Sequence, residues 1–237
     1  MTNENATPGA AERAMKDGKA LLDARDSKQA MKSFQCAADI YGQLGDHMQQ
    51  SEGLNMVAGV LARTGRGDEA LETLSGIIDL LAGEPKSSGR AMAWSNRGLI
   101  LARQERLQDA LGCFEEALVQ FQQIDEPVRV AEQWANIGTT CRDLEQPDQA
   151  IKNYQQAIAI YQQLDHQEGM GDQLTNIAYA LVMQGESMDG VRKYREALSY
   201  YACAGNNSKV QSTEYNIQHL EAALLCNRDG NNKPCNC

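Results

Sequence analysis

The sequence predicts an all-α fold made of one helical pair repeated along the chain, and three observations carry that prediction. The 237 residues are 42% hydrophobic and 23% charged, an ordinary globular balance. They are rich in Ala, Gln, Leu and Glu, whereas Val, Ile and Thr, which favour sheets, are scarce. Self-comparison finds a period of 40 residues without insertion or deletion, as in the column Ala30, Ala70, Ala110, Ala150 and Gly190. Within each period the apolar residues follow helical spacing.

The second helix of each unit reads most clearly. Four residues after the small residue at its start come Phe34, Leu74, Phe114, Tyr154 and Tyr194, and eleven after it come Tyr41, Leu81, Phe121, Tyr161 and Tyr201. Met31, Leu71, Leu111, Ile151 and Val191 stand one residue on, and Ala37, Ile77, Ala117, Ala157 and Ala197 seven on. Together these positions make one face of an α-helix. The first helix carries the columns Gly18, Ala58, Gly98, Gly138, Ala178 and Leu21, Leu61, Leu101, Cys141, Leu181, with Trp94 and Trp134 in a third. Turns such as Thr64 to Asp68 and Glu145 to Asp148 separate the two. Ser27, Asp68, Asp109 and Asp148 stand where N-cap or first-turn residues favour a helix start. Neither helix can bury its apolar face alone, so neighbours stack, which is the logic of a solenoid. The loose stretch from Gly83 to Gly89 predicts a shorter second helix in the second unit.

Trp94, Gly98, Leu101, Ala110, Phe114 and Ala117, followed by Trp134, Gly138, Cys141, Ala150, Tyr154 and Ala157, resemble the tetratricopeptide repeat. The 40-residue unit exceeds the usual 34 and is similar to the extended units of Pins-type adaptors and kinesin light chains. Arg97, in a column that is usually apolar, and Gly190, in place of Ala, depart from the pattern. The resemblance implies a right-handed superhelical solenoid of five repeats, at about 10–46, 47–86, 87–126, 127–166 and 167–206. A capping helix over 207–225 follows, with a disordered start over 1–9 and a flexible, cysteine-bearing tail over 226–237.

It further implies that the first helices line a groove for a peptide or helix of another protein. Asn96, Asn136, Asn176 and Asn216 recur in one groove column. Asn is a mediocre helix-interior residue, so four at one position ask for a reason. A side-chain amide can hold the backbone of an extended peptide, or it can bond the neighbouring helix and set the repeat spacing. Lys19, Arg63, Arg103, Glu132, Thr139, Asp172, Tyr179 and Tyr215 complete the expected lining. Its mixture of charges argues against a dedicated clamp for a C-terminal carboxylate.

The net charge of -10 argues against nucleic acid, whose binders need a basic face. It also disfavours an anionic membrane surface, and no apolar run is long enough to span a bilayer. No signal-peptide pattern opens the chain, so a cytoplasmic location is expected. Cys226, Cys235 and Cys237 are weak metal candidates without a fourth ligand. Cys36, Cys113 and Cys203 fall in otherwise polar columns and are expected to be partly exposed. No catalytic motif is present and no cofactor is expected. The sequence therefore reads as a non-catalytic adaptor. A self-associating scaffold, with homo-oligomers, is the first alternative, and a metal or thiol carrier acting through the tail cysteines is the second.

Overall fold

A computed structural model describes residues 6–84 and 86–228, and all regular structure among them is helical. The residues form two compact units, divided between Glu126 and Pro127. The first holds three helical pairs: α1 (Pro8–Asp23) with α2 (Ser27–Gln43), α3 (His47–Arg63) with α4 (Gly67–Leu80), and α5 (Ser88–Arg103) with α6 (Leu107–Gln123). The second holds α7 (Pro127–Asp143) with α8 (Pro147–Gln163), α9 (Gln167–Met183) with α10 (Ser187–Cys203), and the single α11 (Asn207–Arg228).

The periodic columns are the cores of these units. Phe34, Phe114 and Tyr154 are fully or almost fully buried, as are Ala30, Ala70, Ala110 and Ala150. Burying one such aromatic side chain stabilises by roughly 1.5–3 kcal/mol. Glycine in the first helix makes room for it. A Cβ on Gly98 would lie 2.6 Å from the Phe114 ring, and one on Gly138 2.6 Å from the Tyr154 ring. The recurrent small residue thus seats the ring of its partner helix.

Among the described residues nine helices end in the same way, which explains the constant period. A residue in the left-handed region follows each, Gly at 45, 65, 185 and 205 and non-Gly at Arg25, Glu105, Asp125, Glu145 and Asp165. The next N–H then reaches back to a carbonyl of the last helical turn, as in Gln146 to Cys141 at 2.9 Å and Asp46 to Tyr41 at 3.0 Å. That is the Schellman closure, and it satisfies carbonyls that a helix end leaves open. The exception is α4, which stops after 14 residues at Leu80, before the loose stretch, where its counterparts run 17. Asp26 caps α2 by accepting from the Gln29 N–H at 3.0 Å, so Ser27 is the first helical residue rather than the cap. Asp68 and Asp148 lie in first turns and instead accept from Gln104 and Gln184, the C-cap residues of the following helices, at 3.1 and 2.8 Å.

Both ends are more helical than the sequence suggests. Thr7 accepts from the Ala10 N–H and α1 starts at Pro8, so residues 8 and 9 of the expected disordered stretch are helical. Proline fits there because a first-turn N–H has no partner anyway. Similarly α11 runs to Arg228, three residues into the expected flexible tail. Residues 1–5 and 229–237, with Cys235 and Cys237, lie outside the described residues.

Candidate peptide-binding face

The first helices carry the residues expected to bind a partner, and the two units use them differently. In the first unit the Asn column is consumed internally. Asn55 of α3 is buried, and its amide donates to the Ser51 and Gly89 carbonyls at 3.0 Å each. Its carbonyl accepts from the Asn96 amide at 3.1 Å. Asn96 therefore ties α5 to α3, which is the spacing role. Lys19 of α1 pairs with Glu52 of α3 at 3.5 Å. Arg63 and Arg103 are exposed, each in the last turn of its helix, and flank a small cleft of about 130 Å³ that Asn96 and Leu99 also line. Neither guanidinium has an ion-pair partner among the described residues. A cation at a helix C-terminus is favoured by the helix dipole in any case.

In the second unit a cleft of about 460 Å³ opens on the same helix face, along α7, α9 and α11. Asn176, Thr175 and Asn216 line it, with Tyr179 and Met183 as an apolar wall and the hydroxyl-bearing Tyr194 of α10 among its residues. Arg142, Asp143 and Glu145 supply the charge. Asn136 and Asn216 have no side-chain hydrogen bond to any described residue, and Asn176 donates only to Gln173 on its own helix, at 3.1 Å. Burial, then the nearby Tyr179, raises the Tyr194 phenol above its ordinary value, so its hydroxyl stays protonated. Tyr179 is 49% exposed, with the Arg142 guanidinium 5.2 Å from its ring centre. Tyr215 is 67% exposed and lies beside His219, at 6.2 Å between rings.

Other expected lining residues are already engaged. Glu132 accepts from Arg129 at 2.8 Å. Thr139 accepts from the Tyr154 hydroxyl at 3.2 Å. Asp172 accepts from the Tyr201 hydroxyl at 2.8 Å and from the Lys209 ammonium at 2.6 Å. Lys209 also meets Glu168, at 2.8 Å, so it latches the first turn of α11 onto α9. Sequence reasoning placed Asp172 and Glu132 in the lining but not Glu145 or Tyr194. Glu145 reads as turn chemistry, and Tyr194 as one more packing aromatic, because only three-dimensional placement turns either toward a cleft.

Cys113 is buried, not partly exposed as its column suggested, and burial raises its thiol above the ordinary value while Arg97 opposes this. Arg97 departs from the apolar pattern because it folds inward: its guanidinium donates to the Ser75 hydroxyl at 2.6 Å and lies 5.8 Å from the Trp94 ring. Cys36, Cys203 and Cys226 are exposed. Among the described residues no group of three or more His, Cys, Asp or Glu is placed to hold a metal ion. No helix among them is long and apolar enough to cross a membrane.

Helical pairs of this kind, stacked with a recurrent small-on-aromatic contact, define a repeat solenoid, and residues 89–163 match the family model of the tetratricopeptide repeat. Those residues are tetratricopeptide repeats, and the helical pairs on either side share their fold. Its fold is similar to that of BtubC (BKLC) from P. vanneervenii, with TM-score 0.62, 19% identity, and 84% of this chain and 91% of that one covered. It is also similar to a kinesin-light-chain-like protein of Podosopora anserina with nearly identical TPR-like repeats, with TM-score 0.69, 12% identity, and 84% and 97% covered. A Rap protein complexed with competence and sporulation factor matches with TM-score 0.71 and 16% identity, over 86% of this chain but 57% of that one. At these identities the likeness is one of fold. No sequence among the curated proteins matches the chain.

Proposed function

We propose that the chain is a non-catalytic protein-interaction module of the cytoplasm, whose second unit takes an extended segment of another protein along α7, α9 and α11. One observation carries this reading. Asn136 and Asn216 are half-buried helical amides on that face with no side-chain partner among the described residues, and Asn176 between them bonds only within its own helix. A helix gains nothing from such residues, whereas an extended backbone offers each amide a donor and an acceptor. Asn96, at the equivalent position of the first unit, is spent on Asn55. The Rap protein of similar fold, complexed with competence and sporulation factor, is compatible with this use of the solenoid.

The test is selection of heptapeptides from a random library by the immobilised full chain, repeated with the triple variant N136A/N176A/N216A. Selected peptides should lose at least about tenfold in affinity for the variant, the equivalent of about 1.4 kcal/mol, while its helical signal stays unchanged. Unaltered binding would overturn the reading.

A further inference from the structure

Resting on that reading, we infer that the cleft of the second unit selects a segment carrying a Lys or Arg side chain, which is received between the Glu145 carboxylate, the second oxygen of Asp143 and the exposed Tyr179 ring. The charges on the cleft wall carry the inference. Among the described residues Arg142 is the one cation lining it, and that cation is occupied: Nε and Nη2 both donate to Asp143 Oδ1, at 3.0 and 2.8 Å. The same guanidinium lies against the Tyr179 ring. Arg142 and Asp143 thus cancel. Glu145 is left with no ion-pair or hydrogen-bond partner for its side chain among the described residues, and the cleft carries a net negative charge.

The remaining wall suits the rest of such a residue. Tyr179 and Met183, 49% and 51% exposed, offer apolar surface for an alkyl stem. An aromatic face also attracts a cation directly. Thr175, Asn176 and Asn216 stand beside them for the segment's backbone. The first unit carries the opposite excess on its corresponding face, with Arg63 and Arg103 unpaired among the described residues, so the preference belongs to the second unit and not to the fold in general.

Glu145 also allows a test that separates binding from packing. Its φ is 60°, in the left-handed region, where the next repeat has Gly185 at 83°. E145G therefore relaxes the backbone while deleting the carboxylate. A residue kept for structure alone would be improved by that change.

The probes are acetylated, amidated pentapeptides Ala-Ala-Xaa-Ala-Ala with Xaa Lys, Arg, norleucine or Glu, titrated into the full chain and read from the side-chain amide signals of Asn176 and Asn216. Lys and Arg should bind about fivefold or more tighter than norleucine at low salt, as expected for a partly exposed charge pair. Glu should bind more weakly than norleucine. The advantage should shrink at about 1 M salt and vanish in E145G and E145Q, with E145G unfolding no earlier than the wild type. Equal shifts from all four peptides, or an advantage that survives E145G, would overturn the inference and leave the groove reading standing. No shift from any peptide would overturn both.

Discussion

If the amides of one column play two roles, the same substitution should have different consequences along it. Replacing Asn55 by Ala removes three hydrogen bonds: two donated to main-chain carbonyls of α3 and α5 and one accepted from Asn96. At about 1 kcal/mol each the loss is about 3 kcal/mol. The better helix propensity of Ala returns about 0.5 kcal/mol, leaving a cost of about 2–2.5 kcal/mol. N96A removes one bond and strands the buried Asn55 carbonyl, at a cost of about 1 kcal/mol. N136A and N216A break no bond and should be neutral or stabilising by about 0.5 kcal/mol. Because N55A already abolishes the Asn55–Asn96 contact, the double variant N55A/N96A should cost about 1 kcal/mol less than the sum of the singles. Each unit contains one tryptophan, Trp94 or Trp134. Urea unfolding can therefore be followed unit by unit from fluorescence, in W134F and W94F backgrounds, alongside far-UV circular dichroism. A cost for N136A or N216A that matches N55A would refute the reasoning, since those amides would then have a structural partner.

The latch on α11 predicts a pH window. Hydrogen bonding to Lys209 holds the Glu168 carboxyl below its ordinary value, which adds stability above the usual Glu range of roughly 4.3 and loses it as pH falls through the lowered value. Burial works against the Lys209 ammonium, but hydrogen bonds to Asp172 and Glu168 prevail and raise it, which adds stability below roughly 10.4 and loses it as pH rises through the raised value. Exchange protection of Val210 to Leu220, corrected for intrinsic rates, should be flat between these limits and fall outside them; K209M should lower it throughout and remove the alkaline limb. For the cysteines, maleimide labelling of the native chain should modify Cys36 and Cys203 at least about tenfold faster than Cys113, because the thiolate is the nucleophile and burial suppresses it. Comparable rates would show that Cys113 is not packed as described.

The fold was largely legible because packing repeats. Every repeat buries one large side chain against a small residue, so Gly98 with Phe114 and Gly138 with Tyr154 reappear at a fixed interval and announce themselves by period alone. The turns were legible for the same reason, since nine helix ends require one left-handed residue at one place. What the period hides is the chemistry of single side chains. Cys113 shares a column with Asn153, and both are buried; reading Cys113 as partly exposed treats polarity as a proxy for position. Glu132 and Asp172 stand on first helices, but their availability depends on Arg129 and on Lys209, a residue two helices beyond Asp172.

The Asn column makes the same point about function. Four asparagines at one spacing look like one device, yet the residue 41 positions upstream of each decides its use. Before Asn96 stands Ser95, but 41 residues upstream of it stands Asn55, whose carbonyl takes the Asn96 amide. In the second unit the position equivalent to Asn55 holds Ala135, which has no acceptor to offer, then Thr175, whose hydroxyl is engaged with the Tyr201 hydroxyl at 3.1 Å. The Asn216 amide is accordingly left open, and the Asn176 amide bonds only to Gln173 of its own helix. A repeat therefore writes its stability in what recurs and its binding capacity in the neighbours that fail to recur. Introducing Asn at Ala135 should convert the second unit to the first unit's arrangement, in which the downstream amide is satisfied by its own fold and no longer available to a ligand.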